Sequence, residues 1–188
     1  MSMDKEQALD RLRARCSREE VSSGMALALL RKWSSSHSGA GRSGNGAGNC
    51  ACCLSERDMA GIIALLVREK FIDDVRFAGA FVRDKLKFNG WGKRKIVFKL
   101  KSLGVDDDII EEALRRNYYV SGCAADGGVC DEAEGLSGQK VLERLLEKKW
   151  RSLKEDEPLQ VRKAKAVRFV AGRGFEYGDI IAALAKIM

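Results

Sequence analysis

The sequence has one histidine, one proline and few aromatic residues among its 188 positions. With His37 as the sole imidazole, an HExxH zinc site is excluded, and a Ser-His-Asp arrangement has only a histidine inside a Gly/Ser-rich run to draw on. Against these shortages, Ala, Leu, Lys, Arg and Glu are plentiful, a balance that favours helix. No apolar run approaches the roughly 18 residues of a membrane span. The opening "MSMDKEQALDRLRARCSREE" is charged throughout and lacks an apolar leader region. A cytoplasmic chain without membrane contact is expected. The six cysteines are unevenly placed and read as reduced thiols rather than a disulfide framework. Cys50, Cys52, Cys53, Cys123 and Cys130 lack the usual C-x2-C knuckles, so no metal is assigned to them. Cys16 is expected to pack as a small apolar residue or to lie at a helix end. "GAGRSG" (39–44) matches G-x-G-x-x-G, but it follows no strand and opens no helix. No catalytic residue and no cofactor is expected, and the chain is not read as an enzyme.

What is present is helical period. Ala8, Leu9 and Leu12 share one face. Ser17 and Glu20 read as a capping box for a helix through Met25, Leu29 and Leu30. Ser55 starts another, with Met59, Ile62, Ile63 and Leu66 aligned. Asp73 and Asp74 precede Ala78, Phe81 and Val82. A helix from about Lys93 meets a stop at Gly104, and Asp106, Asp107 and Asp108 open the next. Val141, Leu142, Leu145 and Leu146 make a further face. Pro158 suits the first turn of a helix with Ala164, Val167 and Val170 inside, and Ile180, Ala183 and Leu184 close the chain. No segment alternates apolar and polar residues over a strand's length.

These helices repeat. Moving Gly104 onto Gly174, a shift of 70 residues, also brings Val105 onto Phe175, Ile110 onto Ile180, Ala113 onto Ala183 and Leu114 onto Leu184. The reading is an all-α chain of tandem three-helix repeats, about nine helices, stacked into an elongated, curved array. The first repeat spans 1–72 with a Gly/Ser/Cys-rich insertion at 34–53. The second, basic repeat spans 73–120, a flexible insertion spans 121–137, and the third repeat spans 138–188.

The charge is uneven. "FVRDKLKFNGWGKRKIVFKLK" (81–101) holds eight Lys or Arg and one acid, Asp84. Taking these from totals of 34 and 27 leaves bases and acids equal, so the formal +7 resides in this stretch. On a helical wheel Ile96, Val97, Leu100 and Leu103 face inward, while Arg94, Lys95, Lys99 and Lys101 spread over the other side with Phe98 among them. Concentrated like charge repels itself unless a partner relieves it. A binding surface is therefore expected from Arg83, Lys87, Lys93, Arg94, Lys95, Lys99 and Lys101, joined by the weaker run Arg162, Lys163, Lys165 and Arg168, with Trp91 and Phe98 as contact aromatics. Such a stripe suits a phosphate backbone or the acidic wall of a protein groove.

The stretch "FIDDVRFAGAFVRDKLKFNGWGKRKIVFKLKSLGVDDDIIEEAL" (71–114) resembles the RecX family, regulators of the recombinase RecA. The matching features are Phe71-Ile72-Asp73-Asp74-Val75-Arg76-Phe77-Ala78, the Gly90-Trp91-Gly92 turn, Lys95-Ile96, Gly104-Val105 and Ala113-Leu114. "VLERLLEKKW" through "RGFEYGDIIAAL" is similar to the family's closing repeat. Lys70 departs from the pattern, standing where a glycine is usual. The resemblance implies a non-enzymatic inhibitor that binds the RecA–DNA filament, and a monomer is expected. It would restrain RecA's ATPase, strand exchange and coprotease activity in recombination and the SOS response. The alternative is a stand-alone protein binding single-stranded or duplex DNA. Arg76 is expected to serve structure, pairing locally at a helix start.

Overall fold

The structure, a computed structural model, describes residues 4–36, 54–119, 137–154 and 156–187. Nine helices and no strand occur among them: α1 (Lys5–Cys16), α2 (Ser23–Ser36), α3 (Glu56–Arg68), α4 (Asp74–Lys87), α5 (Lys93–Ser102), α6 (Asp107–Asn117), α7 (Gly138–Arg151), α8 (Leu159–Ala171) and α9 (Tyr177–Ile187). His37 and the cysteines at 50, 52, 53, 123 and 130 lie outside the described residues. No helix of the described residues is long and apolar enough to cross a membrane.

Side-chain caps set several helix starts. Asp4, Ser55 and Ser137 accept from the amides of Gln7, Asp58 and Lys140. Asp73 accepts from the Arg76 amide at 3.0 Å. The expected box at Ser17 and Glu20 does not form. α1 runs to Cys16, so Ser17 closes that helix and its hydroxyl donates to the Arg13 carbonyl. The cap of α2 is Ser22, fully buried, whose Oγ accepts from the Met25 amide and donates to the Leu103 carbonyl at 2.7 Å. Glu20 instead makes a two-pronged pair with Arg76, which therefore reaches a carboxylate distant in sequence rather than a local one. In α8 the buried residues are Ala166 and Val170, four apart on one face, and Ala164 is exposed. Pro158 stands just before the first turn rather than inside it.

The chain divides into two compact units. One holds residues up to Phe77 together with Leu103–Val105, and the other holds Ala78–Ser102 and Asp106 onward. In the first, Ala8, Leu12, Val21, Ala26, Leu30, Met59, Ile62, Leu66 and Ile72 form the core. Cys16, at the end of α1, packs half-buried against it, and burial pushes its thiol up. In the second unit α7, α8 and α9 pack on one another.

The 70-residue repeat has a structural basis. Gly104 and Gly174 both adopt positive φ, at 71° and 88°. The residues brought together by the shift (Val105 with Phe175, Ile110 with Ile180, Leu114 with Leu184) are all buried. Each turn also receives a glycine from another helix start. A Cβ on Gly24 would lie 2.4 Å from the Leu103 carbonyl oxygen, and a Cβ on Gly92 would lie 2.4 Å from that of Gly174. No side chain fits at those distances, so these glycines are required by close backbone approach.

Candidate functional site

The α5 helix begins without an acid in its first turn. An exposed helix start ordinarily gains from negative charge, because its first amides point outward and the helix dipole is positive there. Here the residues are Lys93, Arg94 and Lys95. The amides are satisfied in another way. Gly92 donates to the Arg173 carbonyl at 2.9 Å, Lys93 to the Tyr118 hydroxyl at 3.1 Å, and Arg94 to the Gly174 carbonyl at 3.0 Å. The turn that ends α8 thus caps α5. Tyr118 is buried, and its ring fills the space where a Cβ on Gly138 would otherwise sit, 2.2 Å from Cζ. Burial, above all, pushes the Tyr118 phenol up to about 12, so it is neutral and can accept the Lys93 amide.

With the backbone satisfied, the α5 side chains divide as the wheel predicts. Ile96 and Leu100 are fully buried and Val97 is half-buried. Arg94, Lys95 and Lys99 are exposed, and none pairs with a carboxylate of the described residues. Phe98 stands among them at 74% exposure, far more than a residue of that size needs for packing. Trp91 is half-buried in the turn before α5. It meets Phe81 edge-on at 6.4 Å, and the Lys95 and Lys85 ammonium groups lie 4.6 and 5.5 Å from its ring. It therefore holds cations of α4 and α5 in place as well as packing the turn.

Other residues of the expected surface are already engaged. Lys93 lies 3.8 Å from Glu176 and over the Tyr119 ring, and hydrogen bonding to Tyr119 is the main cause that raises its ammonium. Lys101 pairs with Asp107 at 2.8 Å. Arg83 donates to Asn117, and Lys87 lies over Phe88 at 5.6 Å. In α8, Lys165 is held by Glu157 at 2.6 Å, Arg162 stacks on Trp150 at 4.5 Å, Lys163 is half-buried and Arg168 is exposed. Within the expected surface, the α5 cations left without a carboxylate are therefore Arg94, Lys95 and Lys99, with Phe98 among them. Sequence reasoning missed Tyr118, Arg173 and Gly174 as supports of that face. The local sign was the helix start lacking an acid, which needs an outside acceptor.

Comparison with known proteins gives the chain's family. The family model described as RecX, second three-helix domain, matches residues 73–114, and that of the third three-helix domain matches 139–184. A regulatory protein RecX from Chromohalobacter salexigens is 31% identical over 128 residues, covering 68% of this chain and 70% of that protein. One from Clostridium tetani is 28% identical over 128 residues, or 68% of this chain, and the match spans 51% of its length. The fold is similar to that of a crystal structure of RecX from Lactobacillus salivarius, with a TM-score of 0.70 at 17% identity, covering 100% of this chain and 98% of that one. From its tandem three-helix domains and these relatives, the chain belongs to the RecX family of regulatory proteins.

Proposed function

We propose that this chain restrains RecA by docking the exposed face of α5 against the RecA–DNA filament. It does so as a binding protein, without chemistry of its own. The observation that carries this reading is the exposed trio Arg94, Lys95 and Lys99 around the exposed ring of Phe98. A helix start made of cations works against its own dipole, and sequences keep such locally unfavourable choices where function requires them. The cations attract acidic protein surface or phosphate, and an exposed aromatic among them supplies apolar contact.

The test is the single-stranded-DNA-dependent ATPase of RecA titrated with this chain. Inhibition well below one molecule per RecA, not relieved by excess DNA, supports filament docking. Reversal of Arg94, Lys95 and Lys99 to Glu should abolish that inhibition with helical content unchanged by circular dichroism. Full inhibition by the triple variant would remove this face from the mechanism. Inhibition only at amounts that coat the DNA would favour a stand-alone DNA-binding protein.

A further inference from the structure

A second concentration of charge lies away from the α5 face. After α4 the chain turns through Phe88, Asn89 and Gly90 and faces α7 across a cleft of about 260 Å3. Leu86, Val141 and Leu145 give it an apolar floor, and Gly90, at φ 58°, lies close over Leu145. The charged residues around it are Lys87, Arg144, Lys148 and Arg173, and no acid lines it. None of the four pairs with a carboxylate of the described residues. Elsewhere on α7, Glu143 is paired with Lys186 and Glu147 with Arg151, and Lys149 lies over the Phe169 ring. Arg144 and Lys148 stand one turn apart on α7, an arrangement of like charges that weakens a helix. Arg173 is fixed, donating to the Asn89 carbonyl at 2.8 Å with its guanidinium 4.7 Å from the Phe169 ring. Phe88, at 74% exposure, stands at the rim.

We infer that this cleft binds a nucleoside triphosphate, with the phosphates against Arg144, Lys148, Arg173 and Lys87 and the base on Phe88. A nucleic-acid strand spreads its charge along its length, one per phosphate. Four cations around one small cleft instead match a ligand that concentrates several charges, as a triphosphate does. The cleft is just below the usual range of small-molecule sites, about 300–1,000 Å3, so it takes the phosphates and leaves the base at the mouth. An exposed aromatic ring is a stacking platform for any base. With no carboxylate to hold a metal or activate water, the cleft binds and does not hydrolyse. This inference does not depend on the RecA reading.

The experiment is calorimetric titration of the full chain with ATP, with inorganic tripolyphosphate and with a short oligothymidylate. ATP and tripolyphosphate should both bind, ATP more tightly. The double variant Arg144→Ala/Lys148→Ala should weaken both by about tenfold or more. Both residues are exposed, so the variant should keep its circular dichroism spectrum. Phe88→Ala should remove the advantage of ATP over tripolyphosphate, and the Glu reversal of Arg94, Lys95 and Lys99 should leave ATP binding intact. Absence of heat with either polyphosphate overturns the inference. So does unchanged affinity in the double variant, or binding of the oligonucleotide alone.

Discussion

At the scale of single residues, Tyr118 is the least conspicuous and most consequential support of the α5 face. Its hydroxyl accepts the first amide of that helix, and its burial raises the phenol from 10.0 to about 12. The raised value means that this stabilising contribution is fully present below about pH 10 and is lost as pH rises towards 12. Tyr118→Phe keeps the ring but leaves the Lys93 amide without its acceptor, which should cost about 1 kcal/mol at neutral pH. Urea unfolding of both proteins checks this. The variant should also lose less stability than the parent between pH 10 and 12, because it has no phenol there to ionise.

At the scale of the element, the role proposed for α5 sets stability against function. Arg94 sits in its first turn, where a negative side chain is preferred. Arg94→Glu should therefore raise unfolding stability by about 0.5 kcal/mol while weakening inhibition of RecA. A variant that is both more stable and fully inhibitory would mean that the cation is incidental. Much of this element is legible in the sequence, because an apolar stripe and a glycine stop are local signals. Ile96, Leu100 and Gly104 stand where the pattern puts them. What the sequence does not show is which cations are already spoken for. Lys93 finds Glu176, and Lys165 folds back to Glu157, through tertiary placement that no spacing announces. The misplaced start of α2 has a different origin. Ser17 and Glu20 satisfy the capping pattern, but α1 extends to Cys16 and uses Ser17 as its end. On α7 the sequence shows Arg144 and Lys148 as like charges one turn apart, but not that the turn after α4 brings Lys87 and Arg173 to the same cleft.

At the scale of the whole molecule, the charge outside residues 81–101 balances, so attraction to an anionic partner should be local and easily screened. If the three α5 cations that lack a carboxylate meet phosphates of single-stranded DNA, a fourfold rise in salt should weaken binding roughly 20-fold, whereas contact with acidic protein surface should give a shallower slope. Measuring the half-inhibitory concentration in the RecA ATPase at several salt concentrations separates the two. The glycine seats described above carry a further consequence. Gly104 receives Gly24, and Gly174 is approached by Gly92, so those two turns must be glycine for space as well as for φ. In the three-helix frame the corresponding turn of the first repeat follows α2 and lies outside the described residues, whereas Lys70, after α3, takes φ 63° and is exposed, so it tolerates a side chain. Both seats are backbone against backbone, so a substitution at Gly24 or Gly92 finds no side chain that could move aside and would displace two helices at once.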